Sequence, residues 1–174
     1  MEKRYDAIIV GGGPAGLSAA IYMARAQFHV LVIEKDTIGG QITITGEVVN
    51  YPGIPYTNGK KLTAGMHSQA ESFGAEFLTA EVTGMDLEGT YKTVHTTRGD
   101  FTAAGIIYAA GAHPRLAGFA GEEEFKGHGV AYCATCDGEF FTDKDVFVVG
   151  GGFAAVEEGL FLTRYARRLY MVVR

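Results

Sequence analysis

Apolar and polar positions along the chain alternate between two periods, one of strands and one of helices. Tyr5–Val10 is an apolar run rich in β-branched residues, the pattern of a parallel strand buried on both faces. Gly11 to Pro14 breaks it, and Leu17 to Ala26 reads as a helix rich in Ala and Met. His29–Glu34 predicts a second buried strand and completes a βαβ unit. Lys35 to Pro55 is a long connection holding Gly39-Gly40 and Tyr51-Pro52-Gly53, and a loop of that length in a compact domain usually serves function. Asn58 can cap a helix that runs to about Phe73 and is stopped by Gly74. Three strand-like stretches follow at Glu76–Asp86, Tyr91–Thr97 and Phe101–Ala109, with turn residues at Gly89-Thr90 and Arg98-Gly99-Asp100. They predict an antiparallel meander. A linker-like segment rich in Gly and Glu runs from Leu116 to about Gly129. Val146–Val149 is strand-like again, followed by Gly150 to Gly152, a helix through about Ala166 and a strand at Leu169–Val173.

This last stretch repeats the first. Shifting the chain by 139 residues, Gly11 onto Gly150, lays Asp145–Gly152 over Asp6–Gly13 with no gap. Leu17 then meets Val156, Arg25 meets Arg164, and Val30–Ile33 meets Leu169–Val172. One such unit at each end predicts two dinucleotide-binding units. The expected fold class is α/β: a three-layer Rossmann-like domain with an antiparallel β-meander insertion, then the start of a second Rossmann-like domain. The expected boundaries are 1–115 and 116–174. The second unit ends after its second strand, so the expectation is an incomplete domain in a C-terminally truncated chain.

Composition removes several classes. Net charge is −5, and the densest basic patch is only Arg164, Arg167 and Arg168, so no nucleic-acid partner is expected. Ala7 to Ala24 carries no charge, but its central glycines and marginal length argue against a signal peptide or a membrane span. The expected compartment is therefore cytoplasmic, where thiols stay reduced. The 25 glycines cluster into motifs instead of a low-complexity tract.

The first motif is Gly11-x-Gly13-x-x-Gly16, set between a strand and a helix. Gly11 permits the tight turn, Gly13 lets the backbone approach a pyrophosphate, and Gly16 lets helix and strand pack closely. The helix N-terminus offers N–H groups to phosphate, and Glu34, ending the next strand, can accept from ribose hydroxyls. The second is Gly150-x-Gly152-x-x-Ala155. Val173 falls where Glu34 stood and Arg174 where Lys35 stood, which tolerates a 2′-phosphate and favours NADP(H) over NAD(H). The third is Cys133-Ala134-Thr135-Cys136, a redox pair or half of a zinc site. Structural zinc wants four ligands, and the chain has no other Cys, so no metal is expected. Asp137, directly after the pair, could move a proton.

In this order the motifs resemble the low-molecular-weight thioredoxin reductase family, a group of FAD-dependent pyridine nucleotide-disulfide oxidoreductases. The matching residues are Gly11 to Gly16, Gly39-Gly40-Gln41-Ile42, Asn50 to Gly53, Ala109 to Arg115, Cys133 to Gly138, Gly150 to Gly152 and Glu157-Glu158. The resemblance implies FAD lined by Pro14, Ala15, Glu34, Lys35, Gly40, Gln41, Asn50, Ala110 and Gly111, with Val82 near the adenine. It implies electrons passing from NADPH through FAD to a Cys133–Cys136 disulfide and on to a thioredoxin-like protein. Cys136 would face the flavin, Cys133 would exchange with the partner, and Asp137 would supply a proton. A homodimer is the family's common arrangement. One departure stands out: Phe153-Ala154 replace the acidic residue and serine usual after the third glycine. That opens a second donor reading, such as ferredoxin. A flavin-binding module without turnover is a further alternative for this chain.

Overall fold

A computed structural model describes residues 4–173 of the chain. The chain divides into two compact units, the first ending at Ala112 and the second beginning at His113.

The first unit is built on a six-stranded sheet in the order β3-β2-β1-β6-β5-β4. Strand β1 (Arg4–Val10) pairs in parallel with β2 (Val30–Glu34) on one side and β6 (Gly99–Tyr108) on the other. Successive side chains of a strand point to opposite faces. Ile9, Val30 and Val32 accordingly pack against Ala20, Ala24 and Ala70 of helices α1 (Pro14–Arg25) and α2 (Gly59–Ser72). Ile8, Val10, Leu31 and Ile33 pack on the other face with Val94 and Ala103. Both faces are covered, which explains the unbroken apolar pattern of β1 and β2.

Helix α1 begins three residues before the apolar periodicity does. Pro14 takes the first helical position, where no N–H is needed and its fixed φ suits the helix. Asn58 caps α2 as expected, its Oδ1 accepting from the Lys61 N–H at 2.8 Å, and Gly74 follows the helix at φ 96°. The connection after β2 contains a short 3₁₀ turn, Gly40–Ile44.

The stretch 76–86 differs from the expectation. It is two strands, β3 (Glu76–Thr79), parallel to β2, and β4 (Val82–Asp86), antiparallel to β5 (Lys92–Thr96). The break falls where the Ala80 N–H donates to the Glu34 carbonyl and the Glu81 N–H to Thr97 Oγ1. Antiparallel β4-β5-β6 is the expected meander, continuous with the parallel sheet through β6.

The second unit holds helix α3 (Ala134–Asp137) and a parallel pair, β7 (Asp145–Val149) and β8 (Arg168–Val172), joined by helix α4 (Phe153–Leu162). Ala134, Val146 and Leu162 form its small core with Phe161 and Leu169. Phe147 and Tyr170 stack at 4.8 Å on an exposed face. The segment read as a linker is folded: the Val130 N–H donates to the Phe125 carbonyl and the Gly127 N–H to the Val130 carbonyl.

Candidate active site

Three loops of the first unit converge at the C-terminal ends of β1, β2 and β6. A Cβ on Gly16 would overlap the Gly11 carbonyl oxygen, and one on Gly11, at φ 108°, would overlap that of Ala109. Only glycine fits either position. The Gly12 N–H donates to Glu34 Oε2 at 2.7 Å, and the Asp36 N–H donates to Glu34 Oε1 at 3.1 Å. The carboxylate read as a ribose acceptor is thus fixed against the glycine turn. The Gly39 N–H donates to the Gly12 carbonyl at 2.8 Å, tying the second loop to the turn. A Cβ on Gly40 would stand 3.1 Å from Gly13 Cα, so turn and loop meet backbone to backbone. Gln41 Nε2 donates to the Ala112 carbonyl, which brings in the end of the Ala110-Gly111 segment.

The fold therefore assembles Gly11, Gly13, Gly16, Glu34, Gly39, Gly40, Gln41, Ala110 and Gly111. Pro14 and Ala15 open α1 above them, and α1 has no side-chain cap, which leaves its first N–H groups to a ligand. Exposed Lys35 follows Glu34. Asn50 is exposed in the loop closed by the Val48–Thr57 bridge. Val82 packs with the core on the meander face.

In the second unit, Gly150, at φ 135°, donates its N–H to the Val172 carbonyl, and a Cβ there would lie 3.4 Å from that of Ala155. Gly152 caps the start of α4 with open space around it. A Cβ on Gly151 would meet Val173 Cγ1 at 2.6 Å, the counterpart of Gly12 against Glu34. The turn is rebuilt with an apolar wall where the first has a carboxylate. Arg174, which enters the NADP(H) expectation, lies outside the described residues. Phe153 is 80% exposed at the start of α4.

Cys133 and Cys136 are joined in a disulfide at the start of α3, their Cα atoms 5.3 Å apart. Cys133 is half-buried and Cys136 exposed. Thr135 Oγ1 lies 3.4 Å from Cys133 Sγ. Burial pushes the Asp137 carboxyl above its ordinary value, so it keeps a proton to higher pH than a solvated aspartate. The Ala134 N–H donates to Glu158 Oε2 of α4 at 3.3 Å. A Cβ on Gly138 would press Phe161 at 3.2 Å, so the short helix sits tightly on α4. Sequence reasoning gave Glu158 no role. Its signal was present in the Glu157-Glu158 match, but the partner 24 residues away is visible only in the fold. Among the described residues, no group of three or more His, Cys, Asp or Glu is placed to hold a metal, and no helix is long and apolar enough to cross a membrane.

A glycine turn opens a helix in each of the two units, and the second unit carries a Cys-x-x-Cys disulfide. The chain belongs to the family described as pyridine nucleotide-disulphide oxidoreductase, whose model matches residues 5–174. It is 49% identical to a thioredoxin reductase of Peptoclostridium litorale over 175 residues, covering 100% of this chain and 56% of that one. Among solved structures, the thioredoxin reductase of Streptococcus pyogenes superimposes with a TM-score of 0.92 at 41% identity, over 98% of this chain and 56% of the other. A ferredoxin-flavin thioredoxin reductase of Clostridium acetobutylicum gives a TM-score of 0.59 at 30% identity, over 100% and 61%. The chain thus spans little more than half the length of these relatives.

Proposed function

We propose that this chain carries the flavin-binding and disulfide-bearing portion of a thioredoxin reductase-type flavoprotein. The observation that carries the reading is the Cys133–Cys136 disulfide directly followed by an aspartate whose carboxyl burial raises above its ordinary range. The first glycine turn fits FAD: Gly13 and Gly40 bring two side-chain-free backbones together beside an uncapped helix start, and Glu34 stands beside the turn for a ribose. When bound, the flavin supplies the two-electron relay between a reduced donor and a disulfide.

The chain's own residues do the rest. The sulfur–sulfur bond of Cys133–Cys136 accepts two electrons and two protons and becomes two thiols. Asp137 hands a proton to the departing sulfur of Cys136. The Thr135 hydroxyl stabilises a Cys133 thiolate by hydrogen bonding. That thiolate attacks the disulfide of a thioredoxin-like protein and forms a mixed disulfide while one partner thiolate leaves. Cys136 then attacks Cys133, restores the original disulfide and releases the partner as a dithiol.

The apolar wall at Val173 suits the 2′-phosphate of NADPH better than a second carboxylate would. Exposed Phe153, at the phosphate-facing start of α4, favours a second reading with another donor. An anaerobic titration of the FAD-loaded protein separates them. Bleaching of the flavin by NADPH supports the first reading. A flavin untouched by NADPH but bleached by a reduced ferredoxin supports the second. A protein that retains no FAD contradicts both.

A further inference from the structure

Glu122 is a buried carboxylate, 4% exposed, in an acidic Gly-Glu-Glu-Glu stretch that reads as solvated linker. Both of its oxygens are used. Oε1 accepts from the Ala117 N–H at 2.9 Å and the Tyr132 O–H at 3.0 Å, and Oε2 accepts from the Gly118 N–H at 2.6 Å. The Ala117 bond first, then those of Gly118 and Tyr132, hold the carboxyl below its usual range, although burial opposes them. A carboxylate is buried at a cost unless it is hydrogen-bonded in this way. Burial first, and then Glu122, raises the Tyr132 phenol, so it remains a neutral donor. The Lys126 ammonium lies 5.6 Å from the centre of the Tyr132 ring.

Tyr132 immediately precedes Cys133. The Cys133 backbone is extended (φ −142°, ψ 103°) at the N-cap of α3, held on its C-terminal side by its carbonyl accepting from the Asp137 N–H at 3.0 Å. Its other neighbour, Ala134, is anchored to Glu158. We propose that the Glu122–Tyr132 hydrogen bond is a positioning device for the redox pair. It fixes the chain entering Cys133 so that the two sulfurs stay within bonding range, and thereby sets the stability of their disulfide. The inference rests on the redox reading of Cys133 and Cys136. Glu122 and Tyr132 are positioning residues acting through the backbone.

The test equilibrates the 174-residue chain in glutathione buffers, where two glutathiones reduce the disulfide to two thiols and leave as one glutathione disulfide. Free thiols are counted for the wild type, Tyr132→Phe, Glu122→Gln and the double variant. Tyr132→Phe leaves both backbone bonds to Glu122 in place, and its melting curve checks the fold. Its equilibrium is expected to move roughly three- to tenfold toward the dithiol, a potential about 15–30 mV less negative. The double variant should shift no further than the larger single one, since Tyr132→Phe removes only a bond that Glu122→Gln also disturbs. A Tyr132→Phe equilibrium within about twofold of wild type, or shifts that add, would overturn the inference while leaving the redox reading intact. If Glu122→Gln fails to fold, Tyr132→Phe alone still decides. A wild-type chain that yields no thiols even in excess dithiothreitol refutes the redox reading, and the inference falls with it.

Discussion

The two glycine turns share one plan and differ in what faces them. Each follows a strand, opens a helix without a side-chain cap and sends one glycine N–H to the following strand. In the first turn Gly12 hydrogen-bonds a carboxylate, and the neighbouring loop closes on it through Gly39. In the second, Gly151 faces Val173, and the helix begins at exposed Phe153. The first sheet is covered on both faces, whereas Phe147 and Tyr170 of the second are exposed. A duplicated backbone motif therefore leaves different surroundings at the two turns, set by the residue opposite the middle glycine and by the loop that closes the turn.

The largest effect should come from the glycines themselves. Gly16→Ala drives a methyl group into the Gly11 carbonyl oxygen. It should cost about 1–3 kcal/mol and abolish flavin retention, read by melting temperature and by the absorbance of purified protein. Gly152→Ala enters open space and should leave the melting temperature unchanged. Equal losses in the two variants would break the comparison.

Next in size is Asp137→Asn, which tests whether the second unit carries the proton chemistry. The exchange rate of the reduced pair with a small aromatic disulfide should fall on the order of 10²-fold. In this direction Asp137 takes the proton from the Cys136 thiol, so the wild-type rate should rise with pH through its titration, which burial moves upward, and the variant should lose that limb.

Third, Glu34→Gln leaves the Gly12 N–H with a weaker acceptor and should reduce FAD affinity about 10-fold. Val173→Glu makes the second turn resemble the first and should move nucleotide preference from NADPH toward NADH, measured by competition binding.

The smallest effect is the response to pH. His95 sits between Asp86 at 3.1 Å and Asp100 at 3.0 Å, and these bonds, Asp100 first, raise its pKa. The support it gives the meander is complete below the pKa of an unfolded histidine and is lost as pH rises through the raised value. Asp145, lowered mainly by its bond to Arg167, behaves oppositely. Its support is present above the unfolded aspartate pKa and is lost as pH falls through the lowered value. Hydrogen exchange should loosen β4 and β5 on the alkaline side and the start of β7 on the acid side.

Patterns local in sequence were legible. The βαβ order, the Asn58 cap and the repeat needed only periodicity and turn residues. The split of 76–86 was not, since Ala80-Glu81 contains no breaker and its bonds run to Glu34 and Thr97. Glu122 received no role from the sequence for a related reason. Three adjacent glutamates look solvated until Tyr132, ten residues on, turns one of them inward. The glycine-turn residues were visible as motifs, but that Gly39 and Glu34 both close on Gly12 is a property of the folded loops.

The most direct test of the central claim is a thiol count after anaerobic reduction of the FAD-loaded chain with dithionite. The account predicts two new thiols per chain, appearing with reduction of the flavin and blocked in Cys133→Ser and Cys136→Ser. A flavin that is fully reduced while no thiols appear would contradict it.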